Sequence, residues 1–268
     1  MIIGTRLPLA GERNRFSHAS VSGRVSIRTE RPVHTRIAKR TLDIAVSAVA
    51  AIVVVPLLVV LALAVGVTFR AWPFFVQNRV GKDGRSFRFI KLRTLPPTAP
   101  AYADKYSLVH LHIPRFAQFL RSTHLDEIPQ VFLVLFGRMS LVGPRPEMEI
   151  LHAQGDVHFA NLRTNVRPGC AGLWQVGEHR GGLIWEAPEY DVLYLRNQSV
   201  RLDLWILWRT ALYMTHIRPA VRFNEIPARF IKRPVDAPTH VAQPLDIRDL
   251  DVRDFDVAVS QKPSAATA

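Results

Sequence analysis

From Ile44 to Phe69 the chain carries no charged side chain. About 26 residues at about 1.5 Å each give about 39 Å of helix, more than the ~30 Å hydrocarbon core of a bilayer. Length alone therefore permits a full crossing, but the flanks argue for another geometry. Arg24, Arg28, Arg31, Arg36, Lys39 and Arg40 precede the run, and Arg70, Arg79, Lys82, Arg85, Arg88, Lys91 and Arg93 follow it. Basic residues favour the cytoplasmic side, so one basic flank would break the rule unless both ends emerge on the same side. Pro56, near the midpoint, removes a backbone hydrogen bond and clashes with the preceding turn. The expectation is a membrane-inserted helical segment over residues 37–71 that re-enters at a Pro56 hinge. A straight span with a tolerated proline is the alternative.

The formal charge of +13 and a pI near 10.8 call for an anionic partner: nucleic acid, acidic lipid or phosphorylated small molecules. No zinc-finger, homeodomain or similar signature accompanies that charge, and with the apolar run this argues against nucleic acid. The single cysteine, Cys170, excludes an intramolecular disulfide and is read as a small buried residue in a reducing compartment. Residues 1–36 have scattered Arg, Ser and Gly without an apolar core, which fits a flexible basic arm resting on anionic lipid and not a secretory signal. Residues 232–268, rich in Pro, Asp, Ala and Val without helical period, are expected to form a disordered tail.

Between these lies residues 72–231, where a small β-hairpin is followed by mostly helical sequence. Phe74–Val80 and Ser86–Leu92 are strand-like, joined by the turn Gly81-Lys82-Asp83-Gly84. Alternation puts Phe87, Phe89 and Lys91 on one face and Arg88, Ile90 and Leu92 on the other. Pro96, Pro97 and Pro100 forbid regular structure to about residue 103. Residues 111–123 read as a short helix, and Asp126-Glu127-Ile128-Pro129 as the opening of another over 130–136, where the acidic pair would complement the helix dipole. Gly143-Pro144-Arg145-Pro146-Glu147 and Arg167-Pro168-Gly169 are rigid turns, each presenting an arginine. Residues 184–197 and 200–217 look helical, the latter mixing Trp205, Trp208 and Tyr213 with Arg201, Arg209 and Arg218, a composition suited equally to a core and to a membrane interface.

Several short stretches, in order, carry more than any one alone. They are Lys39-Arg40 with Asp43, Gln77-Asn78-Arg79-Val80-Gly81 and Lys91-Leu92-Arg93-Thr94; Leu120-Arg121 with Leu125-Asp126-Glu127-Ile128-Pro129-Gln130; Met139-Ser140-Leu141-Val142-Gly143-Pro144-Arg145-Pro146; Arg167-Pro168-Gly169 with Gly172-Leu173-Trp174-Gln175-Val176; and Asp191, Tyr194, Ser199, Asp203 and Thr210. Together, over residues 37–212, they resemble the bacterial sugar transferase family, the monotopic phosphoglycosyl transferases. The resemblance implies an α/β catalytic domain on the cytoplasmic face of the bacterial inner membrane, in the compact membrane-associated form. It implies transfer of a hexose-1-phosphate from a UDP-sugar to polyprenyl phosphate, with release of UMP, as the priming step of glycan synthesis. Asp126 would be the nucleophile that carries the sugar phosphate covalently, and a carboxylate suits that role because an acyl phosphate is readily displaced. Glu127 would bind Mg²⁺, a hard ion that bridges phosphates. Arg121 and Arg145 would contact phosphate, assisted by Lys91 and Arg93.

The chain departs from the family pattern in places. Val55-Pro56 replaces Ser-Pro, Pro96-Pro97 stands where acidic residues follow the Lys-Leu-Arg-Thr stretch, and His124, Leu133 and Arg138 replace a serine, an asparagine and an acidic residue. The competing reading is a non-catalytic relative that docks on the membrane as a scaffold for glycan assembly. No residue specifies an oligomeric state; a homodimer is compatible with the sequence.

Overall fold

The computed structural model describes residues 33–99, 112–233 and 235. The expected basic arm and the expected tail fall almost wholly outside the described residues. The first element, α1 (Val33–Phe69), opens inside the stretch assigned to the arm and runs through Pro56 as one helix. It is long and apolar enough to cross a membrane, with a mean hydropathy of 3.1 over its most apolar window. Ile52, Val53 and Val67 along it are 75%, 69% and 79% exposed, so the globular part leaves most of this surface uncovered.

After α1 come the antiparallel strands β1 (Phe74–Val80) and β2 (Ser86–Leu92). The turn between them places Asp83 and Gly84 at positive φ (57° and 72°), as a tight reversal of twisted strands requires. The register sets Gln77 opposite Phe89 and Phe75 opposite Lys91, so the expected alternation holds. One face packs Phe87 and Phe89 against Leu133, Val134 and Met139. The other packs Leu92 against Leu61 and Val65 of α1 and Leu120.

Next are α2 (Arg115–Ser122) and α3 (Gln130–Leu135), separated by a 3-10 turn over Leu125–Glu127. Asp126 and Glu127 therefore do not open a helix as the dipole argument expected. Pro129 is the N-terminal flanking residue of α3, and no side chain caps it. Then follow β3 (Ser140–Val142), β4 (Glu147–Met148), α4 (Glu149–Gln154), α5 (Val157–Thr164), β5 (Gly169–Ala171) and α6 (Leu173–Val176). β4 extends the hairpin sheet beside β1, and β3 pairs in parallel with β5. The last helices are α7 (Pro188–Asn197), preceded by a 3-10 turn over Ile184–Glu186, and α8 (Val200–Met214), which stops where His216 turns to φ 59°. Tyr190, Tyr194, Leu202, Ile206 and Trp174 make the largest core cluster between α6, α7 and α8.

Both ends of α1 are fastened to this one body. Near its start, Arg40 donates to the carbonyls of Val134 and Leu135 (2.7 and 2.9 Å), and Lys39 pairs with Asp203 (2.9 Å). The buried Asp43 accepts from Ser140 Oγ (2.8 Å) and from the Leu141 backbone N–H (3.1 Å). Near its end, Leu61 and Val65 are sealed against Leu92 and Leu120. The structure is thus a mixed helix-and-sheet fold with an apolar N-terminal helix gripped at two places.

Candidate active site

The turn that carries Asp126 and Glu127 is bent sharply because His124 sits in the left-handed region (φ 56°). A non-glycine residue there marks local strain. The turn folds Asp126 inward, to 5% exposure, and leaves Glu127 half-buried. Adjacent carboxylates drawn towards the interior together need different environments to coexist.

The Asp126 carboxyl is pushed up to about 6, by burial first and by the negative Glu127 second; Lys91, His124 and Arg121 pull it back only in part. Glu127 goes the other way. Burial works against its charge, but Arg145 and Lys91, with help from the Gln130 amide and His124, hold it below the usual carboxylate range. Gln130 Nε2 forms no well-aligned hydrogen bond itself, so its contribution is one of proximity. Burial lowers the Lys91 ammonium, with Asp126 and Glu127 opposing and Arg79 and Arg145 adding to the fall.

The cations are placed by the sheet and by one turn. Lys91, on the same face of β2 as Phe87 and Phe89, holds its Nζ 5.4 Å from the Phe75 ring centre. Arg79 lies 5.2 Å over Phe89 and donates to Gln77 Oε1 and to the Pro146 carbonyl, both at 3.0 Å. From the opposite side the buried Arg163 donates to the Arg145 carbonyl (2.6 Å), to Glu147 (2.7 Å) and to Asp191 (2.8 Å). The Pro144-Arg145-Pro146 turn is therefore clamped by two arginines, and its own Arg145 acts on Glu127.

Of the residues picked from sequence, the structure gathers Asp126, Glu127, Lys91, Arg145 and the exposed Arg121. Arg93 is not drawn in: its Nε donates to the Trp72 carbonyl (2.9 Å), and it is absent from the charges acting on either carboxylate. His124 is exposed yet acts on both acids, whereas Leu133 is a core residue and Arg138 points to solvent. Cys170, read from sequence as a buried residue, is half-buried, and its surroundings disfavour the thiolate. Its thiol is pushed up to about 12, by desolvation and then by Glu127 and Asp43. Arg163 went unnoticed because it sits in the plain helical stretch Val157–Thr164 with no motif around it, and its partners are distant in sequence.

Glu127 is the residue that would hold a divalent cation here. No group of three His, Cys, Asp or Glu converges among the described residues. Glu127, ionised and half-buried, offers oxygen, and Mg²⁺ commonly takes one or two carboxylates and completes its shell with water and substrate phosphate.

A family profile described as bacterial sugar transferase matches residues 34–216. Over 182 residues the chain is 38% identical to a UDP-glucose:undecaprenyl-phosphate glucose-1-phosphate transferase of Klebsiella pneumoniae, covering 64% of this chain and 39% of the relative. It is 35% identical over 214 residues to a UDP-galactose-lipid carrier transferase of Erwinia amylovora, covering 73% and 44%. It is 35% identical over 185 residues to a UDP-N-acetylgalactosamine-undecaprenyl-phosphate N-acetylgalactosaminephosphotransferase of Aeromonas hydrophila, covering 64% and 42%. The chain spans less than half the length of these curated relatives. With the profile running from the start of the membrane-type helix through the acidic turn to the end of α8, the chain belongs to the bacterial sugar transferase family.

Proposed function

We propose that this chain transfers a hexose-1-phosphate from a UDP-sugar to polyprenyl phosphate at the cytoplasmic face of the bacterial inner membrane, priming glycan synthesis. The observation that carries this reading is the divergence of two adjacent carboxylates, Asp126 raised to about 6 and Glu127 held ionised among Arg145 and Lys91. Neighbouring acids driven apart in this way mark separate chemical roles.

In the first step an Asp126 carboxylate oxygen attacks the sugar-bearing phosphorus. The bond from that phosphorus to the bridging oxygen breaks, and UMP leaves with the electron pair. In the second, a phosphate oxygen of polyprenyl phosphate attacks the same phosphorus and returns the carboxylate, giving polyprenyl diphosphate sugar. Burial leaves Asp126 poorly solvated and so ready to react, while at neutral pH most of it is in the anionic form. Arg145 and Lys91 balance the charge that gathers on the transferred phosphate, and Arg121, at the open side, serves the incoming anion. Glu127 would hold Mg²⁺, which when bound neutralises the diphosphate.

The membrane part of this reading is a re-entrant α1. It is supported by the two attachments of that helix: Arg40 and Asp43 at one end and Leu61 and Val65 at the other meet the same globular body. Basic flanks on both sides of the run argue in the same direction.

The test is UMP release by purified protein in detergent with Mg²⁺, polyprenyl phosphate and a panel of UDP-sugars, run beside Asp126→Asn. Release that needs the lipid acceptor and is lost in Asp126→Asn is the expected result. No release from folded wild-type protein across the panel overturns it.

A further inference from the structure

The turn that closes α3, Phe136-Gly137-Arg138, is gripped from two directions. Arg40 caps the helix end through the Val134 and Leu135 carbonyls, and Arg167 Nε donates to the Gly137 carbonyl (2.8 Å). Gly137 takes φ 77°, and a Cβ built there would lie 3.2 Å from the Arg40 guanidinium, so the turn and Arg40 are in direct contact. Arg40 stands one helical turn before Ile44, where the charge-free run begins. The height of the turn is thereby tied to Arg40: with α1 entering hydrocarbon at the start of its charge-free run, this turn stands at the headgroup level.

Its surface chemistry matches that level. Phe136 is 75% exposed, an aromatic ring with no core to fill. Arg138 and Arg167 are exposed beside it, and Arg40 and Arg167 feel each other's charge. Among the described residues none of the three arginines forms an ion pair with a carboxylate. An aromatic ring flanked by guanidiniums that carry no carboxylate salt bridge is what an anionic lipid surface accommodates: the ring at the acyl boundary, the cations among the phosphates.

We propose that the Phe136–Arg138 turn is a second membrane contact, in which Phe136 enters the headgroup–acyl boundary and Arg138 and Arg167 bind anionic lipid headgroups. The contact fixes the rotation of the catalytic body about α1. Because α3 begins just after the acidic pair, it also fixes how far the site stands above the bilayer. The inference rests on α1 entering a bilayer and is independent of the transferase chemistry.

The experiment uses the full chain reconstituted in phosphatidylcholine vesicles, with or without phosphatidylglycerol, containing a nitroxide-bearing lipid. In a Cys170→Ala background one added thiol can be labelled, in Phe136→Cys or, as a control in α1, Val53→Cys. The expected result is lipid quenching of a bimane label at position 136 in the anionic vesicles. That quenching should fall at least about twofold without phosphatidylglycerol, at high salt, or with Arg138→Glu, while the Val53 label is quenched throughout. A quenched Val53 label with an unquenched 136 label overturns the second contact and leaves the anchor standing. So does a 136 label shielded from aqueous iodide but not quenched by lipid, because a protein then covers the turn. Quenching at 136 that ignores both lipid charge and Arg138→Glu overturns headgroup binding. If neither label is quenched, α1 does not enter the bilayer and the inference falls with it.

Discussion

Arg163 Nη1 donates to Glu147 Oε2 at 2.7 Å between side chains that are only 5% and 7% exposed. The same guanidinium holds Asp191 and the Arg145 carbonyl, so one residue of α5 joins α7 to the turn that presents Arg145. Removing a cation from between two buried carboxylates leaves both uncompensated, at a cost of about 3–5 kcal/mol. Arg163→Ala is expected to fail to accumulate or to melt well below wild type in detergent. Arg163→Lys keeps a charge but loses the planar fork, and is expected to fold while releasing UMP about tenfold more slowly. Equal rates for Arg163→Lys and wild type would show that the clamp does not position Arg145.

Asp126→Asn is expected to stabilise the fold while removing activity. The wild-type carboxyl, raised from 3.8 to about 6, binds its proton more tightly folded than unfolded. Its ionisation therefore costs stability, fully above pH 6 and not at all below about pH 4. At 1.36 kcal/mol per pH unit the cost is at most about 3 kcal/mol. The melting temperature of Asp126→Asn should exceed wild type at pH 8, and the gain should vanish as the pH falls towards 4. A gain that is the same at both values would show that charge is not its source.

Arg145 and Arg93 separate cleanly. Arg145 acts on Glu127, whereas Arg93 is committed to the Trp72 carbonyl at the foot of the hairpin. Arg145→Ala is expected to lower UMP release by about a hundredfold, the scale of losing one charge-stabilising donor. Arg93→Ala should stay within about threefold. Steady-state rates over a range of UDP-sugar concentrations check both, and a reversed order would point to a different phosphate path.

Cys170 should resist alkylation. The thiolate is the reactive form, and a thiol raised to about 12 is almost wholly neutral at pH 8. Iodoacetamide should label native protein at least about a hundredfold more slowly than denatured protein, as mass spectrometry would record. Rapid native labelling would mean that the half-buried thiol is not desolvated enough to stay neutral.

The parallel pairing of β3 with β5 depends on glycine. A Cβ on Gly169 would stand 2.0 Å from the Gly143 backbone nitrogen, a position that only backbone movement could relieve. Gly169→Ala is expected to lose the folded state in a thermal melt, and an unchanged melting temperature would show that the two turns can part.

Elements with a long period or a covalent constraint were legible before any tertiary contact was known. The apolar helix was clear because hydropathy accumulates over many residues. The β1–β2 hairpin was clear because alternating Phe87, Phe89 and Lys91 meet a glycine turn, and the Arg145 turn because two prolines set its backbone. The acidic pair was visible too, but its environment was not. Helix-dipole reasoning placed Asp126 and Glu127 at a helix start, whereas His124 in the left-handed region turns them into a separate bend and buries one of them. β3, β4 and β5, of two or three residues, are too short to show a period. Arg163 and Arg93 could be sorted only in three dimensions, since each owes its role to partners brought close by folding. Sequence alone determined the long apolar helix, the hairpin and the chemical types available at the site. Tertiary structure decided which cations face the carboxylates and which carboxylate binds its proton more tightly, because charge interactions depend on distance and desolvation, and neither is a property of neighbours along the chain.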